Sequence, residues 1–353
     1  MYLKQNTKKI LINTPSLKLL GGVSNHFMGL NNFWNFKINY CYVGSRNGIN
    51  GILLLPIDVV KFCLKIVFFQ PDYILINPSL QFNALKRDAV FLRVSKLFKK
   101  STAIFFHGWD IEIEALIDNN KYDLLKNYNK ADMFFVLASS FKQKLEEWGF
   151  KQPINLTTTK VDDLLVSDFI VEKKMITKSI LFLARIEKQK GIYIVLKTYK
   201  KLKEKHKDLS LTIVGDGNEL INVKKYINEN KLNDVIVTGR LSGQSLINEF
   251  IKNSLYFFPT YHGEGMPTSL LEAMAFGLTI VSRPVGGTSD FFKPEMGVLT
   301  ESKDPEVYFN ILDNYFTNEN LLKETSTFNH KYAMSNFSAS NVVQYLEKSL
   351  SKI

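Results

Sequence analysis

The segment richest in groups that could do chemistry is Glu264-Gly265-Met266-Pro267-Thr268-Ser269-Leu270-Leu271-Glu272, which runs on to Gly277. Pro267 suits a first helical turn, Leu270, Leu271 and Met274 supply an apolar face, and Gly277 is a natural stop, so the spacing predicts a helix over residues 267–276. The amino end of such a helix offers unpaired N–H groups and a partial positive charge, which suit an anion. Glu264 precedes the helix and Glu272 lies inside it, so the two carboxylates share no helical face and are not an acid pair of the hydrolase kind. They can accept hydrogen bonds from two separate sets of hydroxyls, such as those of a ribose and a hexose. The plainer alternative is one loop residue and one exposed helix residue.

Leu183-Ala184-Arg185-Ile186-Glu187-Lys188-Gln189-Lys190-Gly191 comes straight off an apolar run. Arg185 can bind phosphate oxygens bidentately and Lys190 adds a point charge five positions later, a pair that fits a diphosphate unless both are solvated loop charges. Gly21-Gly22, Gly215-Asp216-Gly217 and Gly286-Gly287 also follow apolar runs, where glycine lets a backbone approach a ligand closely or simply makes a turn. His107, in His107-Gly108-Trp109-Asp110, is either a ligand to a substrate oxygen or a capping side chain. No Asp-x-Asp stands at a convincing strand end, Asp162-Asp163 falls between the halves of the chain, and Cys41 and Cys63 have no metal-ligand spacing. Neither a metal nor a bound cofactor is expected.

These residues need a scaffold that presents loops at strand ends. Short runs rich in Ile, Val and Phe alternate with longer amphipathic segments, the pattern of parallel βαβ units, and the series occurs twice. Strands are expected near residues 9–13, 38–43, 73–77, 102–106, 133–137 and 154–157, and again near 179–183, 209–214, 235–238, 255–258 and 279–282. Residues 158–178 lack a clean period and read as the linker. After residue 303 the chain reads as helices, with Asp304-Pro305 and Ser338 as start signals. At 353 residues the chain exceeds the ~250–300 that one core usually serves, so the fold class is α/β, with two Rossmann-like doubly wound parallel-sheet domains facing a central cleft, residues 1–165 and 166–353.

Composition narrows the partners. With 45% hydrophobic and 22% charged residues the chain is globular, and two cysteines without a disulfide framework suit a reducing compartment, the cytoplasm. No secretory leader is read at the start, and the most apolar stretch, 52–69, is broken by Pro56, Asp58, Lys61 and Lys65, so nothing is expected to cross a bilayer. The net charge is +11, and residues 1–170 hold 21 Lys and Arg against 14 Asp and Glu. That excess suits an anionic substrate or membrane surface. It does not suit nucleic acid, because no run interleaves basic and aromatic residues. Lys86, Arg93 and Lys100 recur every seven residues on an expected helix, with Lys96 beside them, as in a peripheral helix touching anionic lipid at the inner face of the cell membrane; an ordinary surface helix is the alternative.

Taken in order, an early Gly-Gly, a His after a later front strand, Arg185 and Lys190, and Glu264 with Glu272 resemble the retaining family 4 glycosyltransferases, which have the GT-B fold. The resemblance implies a transferase moving a sugar from a nucleotide-sugar donor, with UDP the default base, to a glycan acceptor. It implies that residues 1–165 bind the acceptor and 166–353 the donor, the last helix staying there or packing back on the first domain. By resemblance, Arg185, Lys190, Glu264 and His107 form the catalytic set. Gly22 would contact the donor phosphate, and Gly239, Arg240 and Leu241 would flank the base. Gly265, Met266, Pro267, Thr268, Ser269 and Leu270 would complete the donor site, and Glu272 would take the ribose hydroxyls. The expected role is extension of a lipid-linked glycan in bacterial surface polysaccharide, lipopolysaccharide or O-antigen synthesis. A small soluble acceptor is the alternative, and a basic nucleic-acid-binding protein the remote one.

Overall fold

The computed structural model describes residues 7–19, 21–46, 48–119 and 123–353, without the side chains of Asp123 and Leu124. Contacts divide the chain into two units, Met1–Lys160 with Gly263–Met266 and Ala339–Ile353, and Val161–His262 with Pro267–Ser338.

The first unit contains, in order, β1 (Lys9–Thr14), α1 (Gly22–Leu30), β2 (Lys37–Tyr42), α2 (Gly51–Phe69), β3 (Tyr73–Ile76), the two-residue β4 (Ser79–Leu80), α3 (Phe82–Leu97), β5 (Ser101–Phe106), β6 (Gly108–Trp109), α4 (Ile111–Asp118), β7 (Met133–Val136), α5 (Ser139–Glu147) and β8 (Ile154–Leu156). Its main sheet runs β2-β1-β3-β5-β7-β8 with every pairing parallel. β3 and β7 are buried at all four positions because Tyr-Ile-Leu-Ile and Met-Phe-Phe-Val are covered on both faces, as crossover helices require. Leu11, Phe62, Phe91, Phe106 and Phe134 meet in the core on one side.

The second unit holds α6 (Asp163–Val166), β9 (Ser179–Leu183), α7 (Ile192–Lys205), β10 (Ser210–Val214), α8 (Leu220–Glu229), β11 (Val235–Gly239), α9 (Gln244–Lys252), β12 (Leu255–Phe258), α10 (Thr268–Ala275), β13 (Thr279–Ser282), α11 (Thr288–Phe291), β14 (Gly297–Leu299), α12 (Pro305–Thr317) and α13 (Glu319–Phe337). Its parallel sheet runs β11-β10-β9-β12-β13-β14. Asp304 caps α12 by accepting from Glu306 N at 2.9 Å, with Pro305 in the first turn. The final helix, α14 (Ala339–Leu350), follows Ser338 and belongs to the first unit, where Glu347 accepts from Asn35 N at 2.7 Å and Phe36 N at 2.8 Å.

Both sheets are therefore doubly wound, the first reversing its strand order between β1 and β3 and the second between β9 and β12. Three expectations are corrected locally. The stretch 158–178 is not a plain linker, since it contains α6 and the short turn Val171–Lys173, and the chain passes from one unit to the other at Lys160. The row Lys86, Arg93, Lys100 is broken, because α3 ends at Leu97 and Lys99 adopts a φ of 53°, which turns Lys100 out of the helix. Arg93 is bonded to Asn127 and Lys96 to Asp132, so neither stands in a free basic stripe.

Candidate active site

Sheets of this type bind ligands outside the carboxyl ends of the strands, where the strand order reverses. In the second unit two loops meet there. The loop leaving β9 carries Arg185 to Gly191, and its short turn Lys188–Lys190 is sewn to the loop leaving β12. Tyr261 N donates to the Gln189 carbonyl at 2.9 Å, Thr260 Oγ1 donates to the same oxygen at 3.3 Å, and His262 Nδ1 lies 3.0 Å from Gln189 Oε1. Gly191 makes this possible: its φ is +84°, and a Cβ would stand 2.4 Å from the Pro259 carbonyl oxygen. Lys190 is held in this turn at 5% exposure, whereas the Arg185 side chain is 63% exposed and leans on Glu187 at 2.8 Å. The two cations share one loop, one inside and one at the surface.

α10 begins at the carboxyl end of β12. Pro267 precedes it and has no side chain to cap it, so the first N–H groups, those of Thr268 and Ser269, receive no side-chain cap. Leu270 N already turns back to the Pro267 carbonyl at 3.1 Å. The first turn is anchored by the Tyr256 hydroxyl, 2.7 Å from Ser269 Oγ and donating to the Leu183 carbonyl at 3.1 Å. That one phenol joins β12, the start of α10 and the end of β9. Glu272 is buried at 9% exposure, so it is not the exposed helix residue that the plainer reading allowed.

Gly215 and Gly217 serve the scaffold. A Cβ on Gly215, at φ +144°, would stand 1.9 Å from the Ala184 carbonyl oxygen, and one on Gly217 would stand 2.4 Å from that of Ile186. Close approach here is to the β9 loop, where Ile186 N donates to Asp216 O at 3.0 Å. Gly239, Arg240 and Leu241 follow β11, the edge strand, and Gly215 N donates to the Gly239 carbonyl at 2.8 Å. Loops after β11, β10, β9 and β12 thus line up over roughly 14–15 Å at the usual strand spacing.

The first unit gathers a second polar set at its own reversal point. Asn77 Nδ2 donates to the Asn13 carbonyl at 2.9 Å, which fixes its amide so that Oδ1, 3.2 Å away, accepts from His107 Nε2. The proton therefore sits on Nε2, and Nδ1 is left as an acceptor. Burial holds the His107 imidazole down to about 3, so it is neutral. His107 does not cap α4; Asp110 does, accepting from Glu112 N at 2.9 Å.

Residues that spacing did not single out complete this set. The ring of His26 in α1 lies 5.0 Å from that of His107 and is fully buried. Burial, with His107 and Lys160 adding to it, pushes its pKa well below the usual histidine range. Lys160 is 3% exposed and presses on α1 at Gly29, where a Cβ would stand 2.2 Å from its Cε. Both His26 ring nitrogens, the Asn13 carboxamide and the Thr14 hydroxyl find no hydrogen-bond partner among the described residues, a state that water or a ligand relieves. Only the position of His26 four residues after Gly22 could have drawn attention to it.

Glu264, Gly265 and Met266 belong with these groups and not with α10. A Cβ on Gly265 would stand 2.2 Å from the His107 carbonyl oxygen, one on Gly263 would stand 3.2 Å from that of Trp109, and Thr159 Oγ1 donates to Met266 O at 3.4 Å. Gly22 opens α1 in free space, since a Cβ there or on Gly21 would meet nothing within 4 Å. Among the described residues no group of three or more His, Cys, Asp or Glu side chains is arranged to hold a metal ion.

Residues 167–331, nearly all in the second unit, match the family described as glycosyl transferases group 1. An uncharacterized glycosyltransferase of Methanocaldococcus jannaschii, MJ1069, is 26% identical over 269 residues, 75% of this chain and 66% of its own length. The amylovoran biosynthesis glycosyltransferase AmsK of Erwinia amylovora is 23% identical over 57% of this chain and 51% of its own. The chain thus matches between half and two thirds of those relatives' lengths. The structure of Anabaena HepE in complex with UDP and glucose superposes with a TM-score of 0.72 at 14% identity, covering 98% of this chain and all of that one. The fold is GT-B.

Proposed function

We propose that this protein is a retaining glycosyltransferase of the family 4 kind, which moves a sugar from a nucleoside diphosphate donor, UDP by preference, to a glycan acceptor. The observation that carries the reading is that the loop bearing Arg185 and Lys190 and the uncapped start of α10 lie at one reversal point, between β9 and β12. Departure of a diphosphate from an anomeric carbon builds negative charge on the phosphate oxygens. Cations and helix N–H groups brought to that end of the strands would stabilise the charge. Glu272, buried beside this turn, would accept from the ribose, and the loop at Gly239, Arg240 and Leu241 would lie along the base.

The first unit would take the acceptor and the transferred sugar. His107, neutral with Nδ1 as an acceptor, would bind a sugar hydroxyl without protonating it, and Glu264 would accept from others. Gly22 leaves room for the donor phosphate at the start of α1. No base is required if the leaving phosphate takes the acceptor's proton on the face of departure, which would preserve the anomeric configuration. The amylovoran and colanic acid biosynthesis in the names of AmsK and WcaL supports a place in polysaccharide synthesis; the acceptor glycan would be carried on a lipid at the inner membrane face. The HepE complex with UDP supports the choice of base.

Thermal denaturation of the full chain with UDP-, GDP- and dTDP-sugars tests the reading. A donor at a hundred times its Kd stabilises by about 2.7 kcal/mol, and the Tm should rise with UDP-sugars first. No shift with any of them, together with no transfer to a lipid-linked or a soluble glycan, would refute it.

A further inference from the structure

α2 turns an apolar face outward. Seven of its residues, Ile52, Leu53, Ile57, Val60, Leu64, Val67 and Phe68, are exposed, from 50% for Leu64 to 81% for Phe68. The series 53, 57, 60, 64 and 67 advances by three or four, with Phe68 four residues after Leu64, and so forms one stripe along the helix. The opposite side is pinned by polar contacts that fix the rotation of the helix. Asp58, 1% exposed, is gripped by Arg46 through both carboxylate oxygens, and Lys65 Nζ donates to Asn39 Oδ1 at 2.6 Å and to the Tyr40 carbonyl at 2.7 Å. Turning the stripe inward would break both. An apolar surface of this extent on a water-facing helix marks an interaction site.

Charge says what kind. From Lys37 to Phe106 the sequence has ten Lys and Arg against three Asp, so this part of the first unit supplies as large an excess as all of residues 1–170. Two of those three carboxylates, Asp58 and Asp88, are buried and paired with Arg46 and Arg87. Lys61 is the one charged residue on the exposed side of α2, and the helix presents no exposed acid. No helix among the described residues is long and apolar enough to cross a bilayer.

We propose that α2 docks the protein on an anionic lipid surface, its apolar stripe entering the headgroup and acyl boundary while Lys61 meets the lipid phosphates. The contact is made by α2 and not by the α3 row that the sequence pointed to. It does not rest on the transfer reading, because it needs neither donor nor acceptor.

Flotation of the full chain with vesicles of phosphatidylcholine alone, and of phosphatidylcholine mixed with phosphatidylglycerol, tests this. The protein should float with the anionic vesicles and stay behind with the neutral ones. The double variant Leu64→Glu/Phe68→Glu should lower binding by roughly tenfold or more, the scale of losing two buried apolar side chains, and should melt like the parent because both sites are exposed. Equal flotation of parent and variant overturns the proposal. So does a fall with Arg93→Gln that the α2 variant does not share. A parent that ignores both vesicles but sediments as a dimer, with the variant a monomer, assigns the stripe to a second copy of the chain and likewise overturns it.

Discussion

Gly265 lies so close to His107 that a Cβ on it would stand 2.2 Å from the His107 carbonyl oxygen. The loop carrying Glu264 is thereby held against the strand end that presents the imidazole. Gly265→Ala must push one of the two aside. Overpacking of this sort costs about 1–3 kcal/mol, and denaturant titration of the full chain should show a lowered midpoint, with a proportionally larger fall in transfer. An unchanged midpoint would contradict the contact.

Two buried neutral histidines make stability depend on pH. The His107 pKa lies at about 3 and that of His26 is also depressed, whereas unfolded histidine titrates near 6.5. Because the folded values lie below the unfolded one, the unfolded state binds more protons in the interval. The stabilisation is full above pH ~6.5 and is lost as pH falls, at about 1.4 kcal/mol per pH unit for each histidine. Unfolding free energies measured between pH 6.5 and 5 should slope accordingly, and His107→Gln should remove one histidine's share. Equal slopes in parent and variant would refute the assignment.

Tyr256→Phe deletes the hydroxyl that links Ser269 with the end of β9. It leaves the Leu183 carbonyl without that donor, at a cost of about 1–2 kcal/mol. Loosening the first turn of α10 should raise the KM for the donor more than it lowers kcat. A stability loss with an unaltered KM would make this tyrosine purely structural.

Arg185 and Lys190 should separate in their effects on stability and converge in their effects on transfer. Arg185→Ala removes an exposed ion pair worth ~0–1 kcal/mol, so the melting curve should hardly move. Lys190→Ala should cost transfer about 3–4 kcal/mol, the scale of one preorganised oxyanion donor, or roughly 10²–10³ in kcat. Near-normal turnover in both variants would remove the diphosphate role.

Elements whose signal is local were legible in the sequence. β9, β12 and β13 begin and end where expected because each centres on a short apolar run, residues 180–183, 255–258 and 280–281, with a polar residue or proline close by on either side. α10 was read from its proline and glycine. β14 escaped because Gly297–Leu299 is three residues at a sheet edge, too short to show a period. Arg185 and Lys190 could be singled out because they sit in a loop just after such a strand. His26, Asn77 and Lys160 could not: each acquires its meaning from a neighbour 30 or more residues away, as His107 does from Asn77. Gly215 and Gly217 show the converse, since paired glycines look alike whether they admit a phosphate or a neighbouring carbonyl.

Glu347 gathers the amides of Asn35 and Phe36 from the far end of the chain. A ribosome delivers that glutamate some 300 residues after the segment it clasps, at ~5–20 residues per second. The first unit is therefore completed only after the second has been made, and its early strands must stay clear of aggregation through that interval. Removing α14 would injure the first unit, and an isolated fragment ending at Lys160 would lack one of its own helices.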